Sequence, residues 1–192
     1  MKAILSGIKS GKIKNVIPSV IISNKLNAPG LKVASEMFRV PTKVVLNNGT
    51  KGWLYDQRIV SVLYQYGVTP ESGLVCLAGF MQIISPKFVK HYKMRIMNIH
   101  PALLPSFPGL YAQKQAIEYG VKVSGCTVHF VDEGVDTGPI ILQKAISVFD
   151  SDTEETLSSR ILKQEHKLYV QSIKLFAEGK IDVRGRKVYI QS

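Results

Sequence analysis

Short apolar runs alternate along this chain with stretches whose apolar residues recur every three or four positions, and Pro, Gly or Asn punctuate the changeovers. Residues 18–23 (PSVIIS) read as a buried strand, and the 29–38 stretch reads as a helix with Pro29 at its start. A second short strand covers 42–46. Helical spacing over 53–66 leaves Trp53, Leu54, Ile59, Val60 and Leu63 available to face a core. Residues 73–78 (GLVCLA) are apolar throughout, the pattern of a central parallel strand, and Ser85-Pro86 then opens a short helix toward His91. A strand-like run over 95–99 leads directly into a loop rich in Pro and Gly, and the 111–119 helix after it stops at Gly120. Strands over 126–131 and 139–146 follow. Asp152 or Thr153 caps a long helix with Glu154 and Glu155 in its first turn, running to Ala177 and ending near Gly179. A terminal hairpin over 183–190 crosses Arg184-Gly185-Arg186. Repeated strand–helix units predict an α/β fold with a mostly parallel sheet, flanking helices and ligands beyond the carboxyl ends of the strands. No repeat, linker or low-complexity tract interrupts 1–192, which reads as a single domain.

Composition narrows the class. At 192 residues and 45% hydrophobic content the chain can bury a sizeable core. No apolar run approaches a membrane span and the N-terminus carries no recognisable export signal, so no membrane partner is expected. Cys76 and Cys126 lie in apolar, strand-like segments without metal-type spacing, and they read as buried thiols of a reducing compartment, which makes the cytoplasm the expected location. The net charge of +11 is either a solvated Lys surface or an attraction for anions. The basic residues are scattered and no RNA-binding motif appears, so small phosphorylated or carboxylated ligands are favoured over nucleic acid.

The candidate chemistry begins at Asn98-Ile99-His100. On an extended backbone, side chains two residues apart point to the same face, so an amide donor and a titratable ring look together into the cleft beyond the strand. Such a pair suits stabilising an oxyanion while a proton moves. His100 alone could be a core histidine, but the Pro/Gly loop directly after it favours the site reading. A second Gly-punctuated segment, 129–139, places Asp136 either as a turn residue hydrogen-bonding its own backbone or as a carboxylate facing His100. In the second case its charge raises the imidazole pKa and keeps the ring protonated near neutrality. His129 is either a supporting partner of the site or a satisfied core residue. There is no G-x-S-x-G elbow, HExxH, CxxC, P-loop or G-x-G-x-x-G, so the attacking group belongs on a substrate and no metal is expected.

These residues resemble the phosphoribosylglycinamide formyltransferases, the folate-dependent transformylases of purine synthesis. The likeness runs nearly end to end, through 77–81 (LAGFM), 98–110, 125–131 (GCTVHFV), 136–141 (DTGPII), 152–157 (DTEETL) and Gln164-Glu165-His166. It implies a Rossmann-like formyltransferase fold with Asn98, His100 and Asp136 as the catalytic trio. It implies glycinamide ribonucleotide and 10-formyltetrahydrofolate as substrates, the latter as co-substrate, and a monomer or homodimer. It also implies that Met81, Gln82, Ile83, Ile84, Asn98, Val131 and Asp136 contact folate, that Pro101 and Glu165 contact the nucleotide, and that His166 is structural. Where the family often carries Arg, Gln82 lacks the charge to meet a folate glutamate carboxylate.

Members of that family begin with an apolar strand and a Gly-Ser-Asn phosphate loop. Here Met1-Lys2-Ala3-Ile4-Leu5 matches the interior of their first helix, so the expectation is either a start codon placed too late or a truncated polypeptide. Three rival functions follow from the resemblance. A formyltetrahydrofolate deformylase would use water as acceptor but normally carries a further regulatory domain. A methionyl-tRNA formyltransferase needs an RNA-binding domain and usually has Arg-Gly where Pro108-Gly109 stands. A folate-binding remnant would lack transfer activity.

Overall fold

Residues 1–191 are described by a computed structural model, and contacts divide the chain into two units, Met1–Ile96 and Met97 onward. The first unit holds α1 (Lys2–Lys9), β1 (Ile21–Ser23), α2 (Pro29–Phe38), β2 (Thr42–Val44), α3 (Trp53–Gln65), β3 (Val75–Cys76) and α4 (Pro86–His91). Strands β1 and β2 are parallel, Ile21 opposite Thr42 and Ser23 opposite Val44, with α2 as the crossover that parallel pairing requires. Leu5, Ala34 and Val40 form a buried cluster, with Met1, Ile21 and Phe38 packed on it.

Helix α3 buries Ile59 and Leu63 of the residues the spacing offers and adds two that it does not, Tyr55 and Asp56. Tyr55, Asp56, Ile59 and Leu63 are buried, whereas Leu54 is 64% exposed and Trp53 half-buried. Positions 55, 59 and 63 form one i, i+4 row, and buried partners fix it. The Tyr55 hydroxyl donates to the Val45 carbonyl at 2.8 Å, and the Asp56 carboxyl accepts from Ser85 N–H at 2.7 Å. Ser85 in turn caps α4 by accepting from Phe88 N–H. Strand β3 covers only two of the six residues expected, and its Val75 N–H donates to the Arg95 carbonyl at 2.8 Å. Cys76 is half-buried rather than buried; Cys126 is buried, and neither forms a disulfide.

In the second unit, β4 (Ile96–His100), which begins at the boundary, pairs antiparallel with β5 (Val123–Phe130), and β5 pairs antiparallel with β6 (Ile140–Ser147). The α/β fold class stands, and its sheet is mixed. Only a short loop joins β5 to β6, with no crossover helix, so the chain returns antiparallel. Between β4 and β5 lies α5 (Ala112–Tyr119), ending at Gly120 with φ +77°. The 24-residue α6 (Glu154–Ala177) starts at Thr153, whose hydroxyl and the Thr156 side chain cap it reciprocally, with Glu154 and Glu155 in the first turn. Leu157, Ile161, Leu168, Tyr169 and Ile173 are buried along it, and the Tyr169 hydroxyl donates to the Met97 carbonyl at 2.8 Å. Strands β7 (Ile181–Arg184) and β8 (Lys187–Ile190) make the expected hairpin, two residues longer at its start. Among the described residues no helix is long and apolar enough to cross a membrane.

Candidate active site

Strand β4 delivers Asn98 and His100 from the same face, and β5 places His129 directly opposite Asn98 in the register. The loop over 131–139 supplies the fourth side chain. Asp132, not Asp136, takes the turn role: its Oδ1 accepts from Gly134 N–H at 3.1 Å and from the Thr137 hydroxyl at 2.6 Å. Gly138 is obligatory here, since a Cβ would lie 1.8 Å from the Phe130 carbonyl oxygen. Asp136, at φ +54°, is thereby left with its carboxylate turned toward the strands.

That carboxylate is the hub. Its Oδ2 lies 3.2 Å from His100 Nδ1 and accepts from Gly109 N–H at 2.8 Å. Its Oδ1 lies 3.5 Å from both Asn98 Nδ2 and His129 Nε2. Asn98 Nδ2 is also 3.4 Å from His129 Nε2, while His129 Nδ1 is 2.9 Å from the Phe130 carbonyl oxygen. His129 is buried with both ring nitrogens partnered, so it supports the cluster and fills the core at once. His100 Nε2 meets the Phe107 carbonyl at 2.8 Å, so both nitrogens of its ring face oxygen acceptors.

The loop after His100 is itself pinned. The Thr127 hydroxyl donates to the Ala102 carbonyl at 2.7 Å and accepts from Leu104 N–H at 3.0 Å. Gln143 Nε2 donates to the Leu104 carbonyl and to Thr127 Oγ1 at 2.9 and 3.0 Å. Sequence reasoning missed these groups. A Thr in the otherwise apolar stretch 126–131 was the available signal for one of them, but the Phe107 carbonyl and Gly109 amide act through backbone that any residue carries.

Electrostatics correct one expectation. Burial, the largest influence, pushes the His100 pKa below its ordinary value, although the Asp136 charge and the Phe107 carbonyl push it up. The Asp136 charge thus acts in the expected direction, and burial outweighs it. At Asp136 burial favours the acid form, but the His129 contact, the Gly109 N–H and the His100 and His129 rings outweigh it, and the carboxyl sits below its usual range. On α6, burial raises the half-buried Glu165 carboxyl to about 7. Burial first, and then the Glu165 charge, raise the Cys126 thiol to about 12.

The other expected contacts are distributed. Met81 and Ile83 are exposed, and Gln82 and Ile84 half-buried, in an irregular stretch of the first unit before α4. Pro101 and Val131 are half-buried, each directly after a strand of the second unit. Among the described residues no hydrogen bond or ion pair joins Glu165 to the Asp136 cluster, and no group of three His, Cys, Asp or Glu is arranged to hold a metal ion.

Known proteins carry the same architecture. The chain is similar to phosphoribosylglycinamide formyltransferase of Escherichia coli, 37% identical over 190 residues that cover 99% of this chain and 87% of that protein. It is 44% identical to the human trifunctional purine biosynthetic protein adenosine-3 over 85% of this chain, which spans 16% of that longer protein. The crystal structure of glycinamide ribonucleotide transformylase 1 from Symbiobacterium toebii matches with a TM-score of 0.92 and 45% identity, covering 100% of this chain and 88% of that one. The family model described as formyl transferase matches residues 1–173, which include every member of the Asp136 cluster. A strand-end cluster of amide, imidazole and carboxylate thus stands inside the matched residues 1–173, and the chain belongs to the formyl transferase family.

Proposed function

We propose that this protein transfers the formyl group of 10-formyltetrahydrofolate to the amine of glycinamide ribonucleotide, a step of purine biosynthesis, with residues 1–192 acting as one formyltransferase domain. The convergence of Asn98 and His100 on the Asp136 carboxylate, within a chain of this family, carries the reading. The amine nitrogen attacks the formyl carbon, an oxyanion forms, the bond to folate N10 breaks, and the proton shed by the amine ends on N10. Asn98 is suited to the oxyanion because its Nδ2 contacts, at 3.4 and 3.5 Å, are at the limit of hydrogen bonding and easily redirected. In its neutral form the His100 ring takes the amine proton, and the ionised Asp136 beside it stabilises the resulting imidazolium. His100 reaches a substrate through Nε2 only by exchanging its bond to the Phe107 carbonyl.

On the family resemblance we assign folate contacts to Met81, Gln82, Ile83, Ile84 and Val131, and nucleotide contacts to Pro101 and Glu165. The test incubates purified protein with 10-formyltetrahydrofolate, with and without glycinamide ribonucleotide, and follows both folate product and formate. Product that requires the amine supports the proposal. Formate release without it would establish a deformylase, and folate binding without turnover a remnant.

A further inference from the structure

The C-terminal hairpin plays no part in the chemistry above, yet one of its side chains reaches the loop that carries Asp136. Arg186 lies in the tight turn between β7 and β8, beside Gly185 at φ +60°, and its Nη2 donates to the Thr137 carbonyl at 2.9 Å. The neighbouring Arg184 is occupied within the hairpin, where its guanidinium meets Asp182 at 2.8 Å and stacks over the Tyr189 ring. Arg186 is therefore the guanidinium of this turn that reaches the 131–139 loop.

Thr137 directly follows Asp136, and its carbonyl belongs to the same backbone segment that sets where the Asp136 side chain points. Asp136 holds a left-handed conformation that a non-glycine residue adopts only when its surroundings enforce it. On one side the Thr137 hydroxyl is fixed to Asp132, and on the other its carbonyl is fixed to Arg186. The contact of Arg186 is with the loop backbone at Thr137, so the guanidinium acts through loop geometry. We infer that Arg186 is a positioning residue for Asp136, and that the hairpin serves as a brace on the loop between β5 and β6.

The kinetic part of this inference rests on the proposed transfer reaction; its structural part does not. Gly109 N–H, which donates to Asp136 Oδ2, reports where that carboxylate is. In Arg186→Leu we expect hydrogen exchange at the Gly109 amide to accelerate about tenfold while Tyr169-linked core amides of α6 stay protected, because one exposed tether is lost and the core is untouched. Turnover should fall about three- to tenfold with KM for the nucleotide within about twofold. Arg186→Gln, which keeps an N–H donor without the charge, should recover most of both. Unchanged exchange at Gly109 in Arg186→Leu overturns the inference whether or not the wild-type protein transfers formyl. So does a turnover loss that Arg186→Gln fails to rescue. Absence of transfer in the wild type strikes the proposed function instead and leaves the exchange measurement to decide on Arg186.

Discussion

The second unit of this chain carries a kind of polar contact that the buried polar side chains of the first do not make among the described residues. In the first, each serves the backbone: Tyr55 and Tyr92 donate to the Val45 and Val68 carbonyls, and Asp56 accepts from Ser85 N–H, at 2.7–2.8 Å. Each of these groups spends its hydrogen bond on the fold. The second makes such bonds too, from Thr127 and Tyr169 to the Ala102 and Met97 carbonyls at 2.7 and 2.8 Å, but there buried His100 and His129 and half-buried Asn98 and Asp136 also meet one another, at 3.2–3.5 Å. Such contacts are too long to be worth much for stability, yet they keep three donors and a carboxylate aimed at one place. Close bonds to backbone mark a group that holds the fold. Long contacts among titratable side chains mark a group held ready for a ligand.

Substitutions in the second cluster test that contrast most severely. Asn98→Ala and His100→Ala should each lower kcat about a hundredfold or more, since losing an oxyanion donor typically adds on the order of 3 kcal/mol to the barrier and losing a positioned proton acceptor typically costs about 10²–10⁴-fold. Asp136→Asn should do at least as much, because it removes the charge that stabilises a protonated His100 and turns one acceptor of Gly109 N–H and Asn98 into an amide. Steady-state kinetics on folded variants measures all three. Near-native turnover in any of them would overturn its assignment.

The mirror-image experiment belongs to the first unit. Asp56→Ala strands the buried Ser85 N–H and should cost about 1–3 kcal/mol of unfolding free energy, with kcat per folded molecule unchanged. Urea denaturation and active-site titration separate the two effects. A variant of full stability but poor turnover would break the division drawn here.

How much of this was readable beforehand follows the same line. Helix α2 and the Thr153 start of α6 match the sequence reading because Pro in the first turn, capping hydroxyls and first-turn carboxylates are local signals. Asn98 and His100 share a face by strand geometry alone. The inward face of α3 is legible at Ile59 and Leu63 but not at Asp56, which looks like a surface residue until Ser85, far along the chain, supplies its partner. The sign of the His100 shift was misjudged for a related reason. A nearby carboxylate can be guessed from a motif, but the depth of burial that outweighs it depends on packing by the whole unit. The antiparallel return of β6 was legible in principle, since the segment before it has no room for a helix.

The smallest expected effect concerns Glu165, a half-buried carboxyl of α6 that, unlike Asp56, has no hydrogen-bond donor among the described residues. Burial raises its pKa from 4.5 to about 7, so the folded protein binds the proton more tightly than the unfolded chain. Its contribution is most favourable below pH 4.5 and is lost as the pH rises through about 7. His100 works in the other direction: its lowered pKa means that protonation favours the unfolded chain, so stability rises with pH up to about 6.5. The two slopes partly cancel in the wild type. Glu165→Gln removes one of them, so the variant should gain stability relative to wild type between pH 4.5 and 7. The gain should be no more than about 1 kcal/mol, because solvent screens a half-buried carboxyl. Urea unfolding of both proteins at pH 5 and pH 7.5 measures the difference. If it does not grow with pH, the Glu165 carboxyl is as well satisfied as Asp56, and the contrast between the two units narrows to the Asp136 cluster alone.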